Sequence, residues 1–207
     1  MKRALFACCA LLLGVAQAEE PFTGGDPEAG KAKSATCAAC HGPDGNSSNP
    51  EWPVLAGQHA SYIVQQLKAY KSGARQNALM MGQAAGLSEE DMRNLGAFYA
   101  QQQAKPRTAS EEAVAIAEPL WRGGDAERGI PGCAGCHGPA GLGNAGAAYP
   151  RVANQHATYT AMQLRAYRSS ERGEGVSGQM MQTVAAKLTD EEIDALASYA
   201  AGLQPRR

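Results

Sequence analysis

Two short stretches of the sequence carry the same pattern of reactive side chains. CAACH occupies residues 37–41 and CAGCH occupies residues 133–137, so in each stretch two cysteines separated by two residues precede a histidine. Three chemistries use such a cysteine pair: a dithiol redox motif, a zinc site and the covalent attachment of a c-type haem. The surroundings of the two motifs decide among them.

The haem interpretation accounts for every reactive residue of both motifs. A thioredoxin-like motif needs a strand leading into the cysteine pair, and the sequence predicts none; one zinc site built from both pairs would leave the histidines without a role. In C-x-x-C-H, the two thiols add to the vinyl groups of the porphyrin and the histidine faces the iron. The sequence therefore predicts two covalently bound haem c groups, held by Cys37, Cys40, His41, Cys133, Cys136 and His137.

The two motifs belong to a repeat that runs along the chain. GQHASYIVQQLKAY at residues 57–70 corresponds to NQHATYTAMQLRAY at residues 154–167. A repeat of about a hundred residues indicates a duplicated domain, since solenoid repeats are much shorter. We therefore predict an N-terminal domain over residues 19–103, a linker over residues 104–109 and a C-terminal domain over residues 110–207.

Helical patterns dominate each repeat. Asp26 followed by Pro27 is typical of a helix start, and residues 59–72 carry apolar side chains at helical spacing. In the second repeat, the first helix is expected from Ser110 to Trp121, because glycines and a proline precede the second motif. Capping boxes open the last helix of each repeat, at Ser88 with Asp91 and at Thr189 with Glu192. No strand pattern is evident, so the expected fold is all-α.

The first eighteen residues have the composition of a secretory signal peptide. Lys2 and Arg3 precede an apolar run, and Ala16-Gln17-Ala18 fits a cleavage site. Cleavage there would leave every remaining cysteine in the two C-x-x-C-H motifs. The apolar run is shorter than the roughly 20 residues that a membrane-spanning helix needs. We expect a periplasmic protein cleaved after Ala18, with no transmembrane span, and leave peripheral association with a membrane surface open.

The charge of the chain excludes one class of partner. The sequence has 19 basic and 20 acidic side chains, and loss of the signal peptide would leave 17 basic ones, a net charge of −3. Basic clusters or stripes, which binding to nucleic acid requires, do not occur. We therefore expect protein partners and no nucleic acid.

An iron held by one histidine has a sixth position that a second side chain can fill. Two methionine pairs recur in the repeat, Met80-Met81 and Met180-Met181, in segments that the sequence predicts to be glycine-containing loops. Counting back seven residues from the leucine ahead of each capping box gives Met80 and Met181. These two methionines are the predicted axial ligands. Their neighbours, Met81 and Met180, are each displaced by one residue from this spacing.

Other histidines and methionines have simpler interpretations. His59 and His156 are expected at the surface or at a helix start; bis-histidine ligation, which would give low potentials, is the alternative. Met92 and Met162 lie at helical spacing and are expected to fill the core.

Pro53 and Pro150 follow the two motif histidines by twelve and thirteen residues. A loop position alone would explain a proline. A functional role is that each backbone carbonyl accepts the Nδ1 proton of the motif histidine, which fixes the tautomer and raises the basicity of the ligand. We expect this second role for both prolines.

With these residues, the chain resembles the cytochrome c4 family of dihaem bacterial cytochromes over essentially the whole mature sequence. The resemblance is carried by both attachment motifs, by Leu55-Ala56-Gly57-Gln58, by Asn154-Gln155-His156 and by the methionines ahead of the last helices. It implies two tandem class I cytochrome c domains related by duplication, each with histidine and methionine ligation. It also implies haem edges close together at a pseudo-two-fold interface, and electron delivery in respiration, often to a haem-copper terminal oxidase.

These features predict an electron carrier and not an enzyme. Methionine ligation and burial of the haem raise the reduction potential, and filled axial positions leave no place for a substrate. We expect single electrons to pass from a quinol-oxidising or other dehydrogenase complex to a terminal oxidase. Two alternatives stay open: a dihaem electron-accepting subunit of a dehydrogenase such as a sulfide-oxidising flavoprotein, and a dihaem peroxidase, which would need one open sixth position.

Overall fold

The structure is a computed structural model that describes residues 24–204 of the 207-residue chain. The predicted signal peptide, residues 1–18, lies outside the described residues. In chain order the elements are α1 (Pro27–Lys33), α2 (Ala35–His41), α3 (Ala60–Ser72), α4 (Ala78–Ala85), α5 (Glu89–Ala100), α6 (Glu111–Gly123), β1 (Gly124–Asp125), β2 (Ile130–Pro131), α7 (Ala134–His137), α8 (Ala157–Arg168), α9 (Gly175–Ala185) and α10 (Asp190–Gly202).

The helices pack in the same arrangement twice. In the first half, residues 24–103, α5 packs against α1 and α3, and α3 also contacts α4. In the second half, residues 110–204, α10 packs against α6 and α8, and α8 also contacts α9. This repeated arrangement confirms the prediction of an all-α, duplicated fold.

The last helix of each half forms the centre of its core. On α5, Leu95 and Tyr99 recur at helical spacing and are almost fully buried, and on α10 Ile193 and Leu196 are buried in the same way. In the first half α1 approaches α5 closely at Gly30, where a Cβ atom would collide with a backbone carbonyl of α5. A glycine is therefore required at this helix crossing.

Most predicted helix boundaries are confirmed. The Asp26 side chain caps α1 and the Ser110 side chain caps α6, while Gly73 ends α3 in the left-handed conformation. Both predicted capping boxes form, with the two reciprocal hydrogen bonds of each present. The predicted helix from Asp26 toward the first motif is in fact two helices, since Ser34 ends α1 and begins α2.

The prediction that the methionine pairs lie in loops is wrong. Met80 and Met81 lie in α4, and Met180 and Met181 lie in α9. The first of these helices forms because the Asn77 side chain accepts a hydrogen bond from the Met80 amide, and alanines favour helix despite the glycine within it.

One core assignment and the absence of strands also need correction. Met92 is 1% exposed, as predicted, but Met162 is 44% exposed. On α8 the neighbouring Ala161 is the residue that faces the core, and successive residues of a helix point about 100° apart. The strands β1 and β2 form a two-residue antiparallel ribbon in which Ile130 pairs with Asp125 and is buried, so the ribbon attaches to the core without changing the fold class.

The connection between the halves contains no helix or strand over residues 103–109. The helix before it ends at Ala100 and the next begins at Glu111. The domain boundaries on either side of the linker, at residues 103–104 and 109–110, remain a prediction. Within residues 24–204, no helix combines the length and apolar character needed to cross a bilayer.

The capping box of α5 predicts an acid-sensitive contribution to stability. The Asp91 carboxylate accepts hydrogen bonds from the Ser88 backbone amide and hydroxyl and pairs with Lys33, which lowers its pKa from 3.8 to about 2. Since the folded-state pKa is depressed, the stabilisation is complete above the unfolded value and is lost as the pH falls toward 2. We expect Asp91→Asn to unfold more easily than wild type at pH 5, with a difference that narrows toward pH 2.

Urea unfolding of the holoprotein across this pH range would measure the difference. Glu90→Gln is the matched control, because Glu90 lies in the same first turn and is exposed. An equal effect of the two substitutions at pH 5 would contradict the prediction.

Candidate haem sites

Each C-x-x-C-H motif lies at a helix that ends on its histidine. The first motif forms the C-terminal part of α2, and Gly42 ends that helix. In the second motif Cys133 is the N-cap of the short helix α7, and Gly138 ends it. A helical turn places the two cysteines of a motif on one side, so that both thiols can reach one porphyrin edge.

None of the four motif cysteines forms a disulfide. Cys40 is exposed, and the other three are half-buried. Burial raises the pKa of Cys133 to about 11, so this thiol is protonated at neutral pH. Within residues 24–204 no group of three or more histidine, cysteine or acidic side chains is arranged to hold a metal ion.

The two motif histidines make the same hydrogen bond in both halves. The Nδ1 of His41 lies 2.9 Å from the carbonyl oxygen of Pro53, and the Nδ1 of His137 lies 3.0 Å from that of Pro150. Burial lowers the pKa of both histidines, while the bond to the proline carbonyl opposes this shift. Both rings are therefore neutral with the proton on Nδ1, which leaves Nε2 as a lone-pair donor suited to a metal.

The methionine pairs lie near the surface of their helices. Met80, Met81 and Met181 are half-buried, and Met180 is 43% exposed. The structure thus distinguishes the two members of the second pair by exposure but does not distinguish those of the first pair.

His59 and His156 bond across the two halves. Each is the N-cap residue of a helix, as predicted. The Nε2 of His59 lies 2.8 Å from the Leu142 carbonyl oxygen, and the Nε2 of His156 lies 3.0 Å from the carbonyl and hydroxyl oxygens of Ser47. His156 is buried against Ser47 of the other half, so of the two predicted positions only the helix start holds for it. These contacts give both rings a role at the interface and do not favour bis-histidine ligation.

Two aromatic residues beside the motifs were missed by the sequence reasoning. The Trp121 ring stacks on the His137 ring at a centroid distance of 6.4 Å, and Trp121 Nε1 donates to the Pro139 carbonyl at 3.3 Å. The Tyr99 hydroxyl is buried without a hydrogen-bond partner, and burial beside the Cys37 thiol raises the pKa of Tyr99. A large aromatic residue near the end of a predicted core helix was the signal available for both.

A buried polar cluster joins the two halves and was also missed. Arg75 and Arg172 are equivalent residues, each with a guanidinium group stacked on a tyrosine ring of its own half and bonded to a tyrosine hydroxyl of the other half. Gln66 and Gln163 each accept hydrogen bonds from both guanidinium groups. The cluster consists of Arg75, Arg172, Gln66, Gln163, Tyr62, Tyr70, Tyr159, Tyr167 and Glu174.

This cluster holds an excess of positive charge away from water. The side chains of Arg75 and Arg172 are 7% and 5% exposed, and the only carboxylate in the cluster belongs to Glu174, which is 6% exposed. Burial disfavours ionisation of the Tyr159 hydroxyl, but the two guanidinium groups outweigh it and lower the pKa of Tyr159. Two buried cations with one carboxylate provide a favourable setting for further anionic groups.

The described residues fit a covalently bound haem in each half. Each half supplies two free thiols on a helical turn and a neutral histidine whose Nδ1 is already hydrogen-bonded.

Comparison with known proteins agrees with this geometry. The family described as Cytochrome c matches residues 27–105 and 131–204. Cytochrome c4 of Thiocapsa roseopersicina is 46% identical over 181 residues, covering 86% of this chain and 93% of that protein. The crystal structure of reduced recombinant cytochrome c4 from Pseudomonas stutzeri matches with a TM-score of 0.84 at 40% identity, covering 87% of this chain and all of that one. A thiosulfate dehydrogenase electron acceptor of Thiomonas intermedia is 36% identical, covering 82% of this chain and 79% of that protein.

The duplicated fold and the paired motifs define a c-type cytochrome that carries two covalently bound haem c groups. Such a protein transfers electrons and is not an enzyme. The chain belongs to the cytochrome c4 family.

The buried cluster predicts a large loss of stability when one guanidinium group is removed. Arg172→Met leaves the Glu174 carboxylate with Arg75 at 4.0 Å as its remaining cation, and it removes the hydrogen bond that the Tyr62 hydroxyl accepts. Removing one partner of a buried ion pair lowers the free energy of unfolding by about 3–5 kcal/mol, because the other charge is left buried without compensation. Urea unfolding of the holoprotein would measure the change.

Arg165→Met is the matched control for this experiment. Arg165 lies in α8, seven residues before Arg172, and pairs with Asp190 and Asp194 on the surface. Exposed ion pairs contribute little, so a much smaller decrease is expected. Similar losses for the two variants would contradict a special role for the buried cluster.

Proposed function

We propose that the chain is a periplasmic carrier that passes single electrons between respiratory complexes. On this proposal the donor is a quinol-oxidising or other dehydrogenase complex and the acceptor is a terminal oxidase. The observation that carries the proposal is the duplicated histidine site with its proline acceptor, together with a methionine pair on the second helix after the motif helix in each half.

The proposed roles of the site residues follow from their chemistry. Cys37, Cys40, Cys133 and Cys136 form the thioether bonds, and His41 and His137 are the proximal ligands. When bound, each haem supplies a one-electron Fe(III)/Fe(II) couple. The backbone carbonyls of Pro53 and Pro150 accept a hydrogen bond from Nδ1 of His41 and His137. This bond fixes the orientation of each imidazole ring and raises its basicity as a ligand.

Met80 and Met181 are the proposed sixth ligands. A thioether is a soft ligand that favours the reduced metal, so it supports a high potential. Both residues are half-buried, and both lie seven residues before the leucine that precedes a capping box. With two protein ligands in place, neither site has room for peroxide, which argues against the peroxidase alternative.

Matched methionine variants test this assignment. Met181→Ala is expected to remove about half of the sulfur-to-iron absorption band at the red edge of the visible spectrum of the oxidised protein, since one of two such ligands is lost. Met180→Ala is expected to leave the band intact, and Met80→Ala and Met81→Ala give the same comparison in the first half. Spectra of the purified variants would provide the measurement.

Carbon monoxide provides an independent check on the same variants. The reduced wild type is expected not to bind it, whereas Met181→Ala is expected to bind it at one haem. Retention of the full band in Met181→Ala, or carbon monoxide binding by wild type, would show that the assignment is wrong.

A second candidate function is supported by one of the relatives. The Thiomonas intermedia protein is described as the electron acceptor of thiosulfate dehydrogenase, so a chain of this type can serve one dehydrogenase. A free carrier forms brief, salt-dependent encounters through small surfaces, whereas a stable subunit buries a larger one.

Size-exclusion chromatography of a native periplasmic extract separates the two functions. For a free carrier, haem-stained protein should elute at the size of the single chain at both low and moderate salt. Absence from the periplasmic fraction would contradict the proposed location. Elution in a larger complex with a dehydrogenase, stable to salt, would replace the free-carrier proposal by the second candidate.

A further inference from the structure

Two glutamine side chains bind the backbone of the opposite half in the same way. Gln155 Nε2 donates to the Val54 carbonyl at 2.9 Å, and Gln155 Oε1 accepts from the Val54 amide at 2.8 Å. Gln58 Nε2 donates to the Arg151 carbonyl at 2.8 Å, and its Oε1 accepts from the Arg151 amide at 2.9 Å. Gln58 corresponds to Gln155 and Val54 to Arg151 in the repeat, so the interaction is reciprocal.

The amides that the glutamines bind belong to the peptide units that hold the motif histidines. The Pro53 carbonyl, which accepts from His41 Nδ1, and the Val54 amide, which donates to Gln155, are the two ends of one peptide group. The same is true of Pro150 and Arg151 in the second half. Each chain of hydrogen bonds therefore begins at a histidine of one half and ends on a glutamine of the other.

The backbone that presents each glutamine is unusual in both halves. The preceding residue has a left-handed conformation, with φ of +68° at Gly57 and +62° at Asn154. Glycine adopts this region freely, and asparagine is among the few other residues that tolerate it. Side chains larger than glycine at position 57 would also crowd the Arg151 guanidinium group, 3.1 Å from the Cβ position. Both halves therefore have a left-handed residue at the position that directs the glutamine across the interface.

Burial makes these hydrogen bonds sensitive to each other. Val54, Gln58 and Gln155 are buried, and both glutamines also accept a bond from the amide of the following histidine. In a setting of low dielectric constant, a peptide group that donates through its amide becomes a stronger acceptor at its carbonyl. A stronger acceptor draws the Nδ1 proton of the histidine and makes that ring a better electron donor to a metal.

We propose that Gln58 and Gln155 are positioning residues that tune the haem of the opposite half, each through the peptide group that holds the motif histidine there. This inference rests on the proposed function, because it requires His41 and His137 to be the proximal ligands. Gln155 then lowers the reduction potential of the first-half haem, and Gln58 lowers that of the second-half haem.

The test is a pair of variants whose effects should cross between the halves. Gln155→Met keeps the length of the side chain but removes both hydrogen bonds to Val54, together with the bond from the His156 amide, so the potential of the first-half haem should rise relative to that of the second. Gln58→Met should shift the same difference in the opposite direction. The difference between the two potentials is the readout, because entry of solvent at the interface would act on both haems.

Redox titrations followed by proton NMR of the haem methyl signals resolve the two potentials. Trp121→Phe assigns the signals to the halves, since Trp121 stacks on His137. The Nδ1 proton resonances of His41 and His137 should show the same crossed response. If Gln155→Met and Gln58→Met do not fold, Gln155→Asn and Gln58→Asn replace them. Asparagine keeps the amide group but is one methylene shorter, so the same crossed shifts in potential are expected.

Ser61→Ala is the matched control. The Ser61 hydroxyl also donates across the interface, at 3.1 Å to the Ala145 carbonyl, but to a peptide group that holds no motif histidine. This control should leave the difference in potentials unchanged. Shifts confined to the glutamine's own half, shifts of one sign in both variants, no shift, or an equal shift in Ser61→Ala would each overturn the proposal.

The failure of this inference can be told apart from failure of the proposed function. Mass spectrometry of peptides from the wild type locates the haems on the two motifs, and its absorption spectrum reports the methionine ligands. If either result is negative, the proposed site is wrong. If both results are positive but neither glutamine variant shifts the potential of the haem in the opposite half, only the tuning by Gln58 and Gln155 is wrong.

Discussion

A histidine that offers Nε2 to a metal must place its Nδ1 proton on an acceptor, and in a buried site that acceptor has to come from the protein. In both halves the acceptor is a proline carbonyl, at 2.9 Å and 3.0 Å. A carbonyl of proline suits this task because the ring restricts φ and so removes one of the two backbone rotations that orient the carbonyl. The loop after each motif, the glutamine contacts and the packing of the two halves all meet at this peptide group, so its position constrains the rest of the site.

The sequence was sufficient for those features that a local rule determines. Cysteine spacing predicts the attachment motifs, and the serine and threonine ahead of acidic residues predict the capping boxes at residues 88 and 189. The proline acceptors could be proposed because each follows its histidine at nearly the same distance in a repeated chain. The methionine pairs were placed in loops because glycine suggested an irregular segment, whereas capping by Asn77 and the alanines of α4 produce a helix.

The contacts between the halves could not be predicted in the same way. The guanidinium groups of Arg75 and Arg172 are separated by nearly a hundred residues and meet only when the two halves pack. The repeat showed that Gln58 and Gln155 correspond, but not that each one reaches the backbone of the other copy. A correspondence between copies becomes a contact only through a two-fold arrangement, and no local pattern encodes that arrangement.

The two halves are also unequal where the repeat would make them alike. Asn77 caps α4, whereas Glu174 occupies the N-cap position of α9, makes no cap bond there and pairs with Arg172 at 3.0 Å. The second half alone also has Trp121 stacked on its motif histidine. If the two halves were identical, their two haems would have the same surroundings. The differences between the halves at these positions give the two haems different surroundings.

Recognition of backbone has a consequence for how the chain can vary. The residues that the two glutamines bind are a valine at position 54 and an arginine at position 151, which share no side-chain chemistry. Since the glutamines bind only the amide and carbonyl, the contact itself requires no particular side chain at position 54 or 151. The two copies can therefore carry different side chains at these two positions, whereas the contact does require the glutamine and the left-handed residue before it.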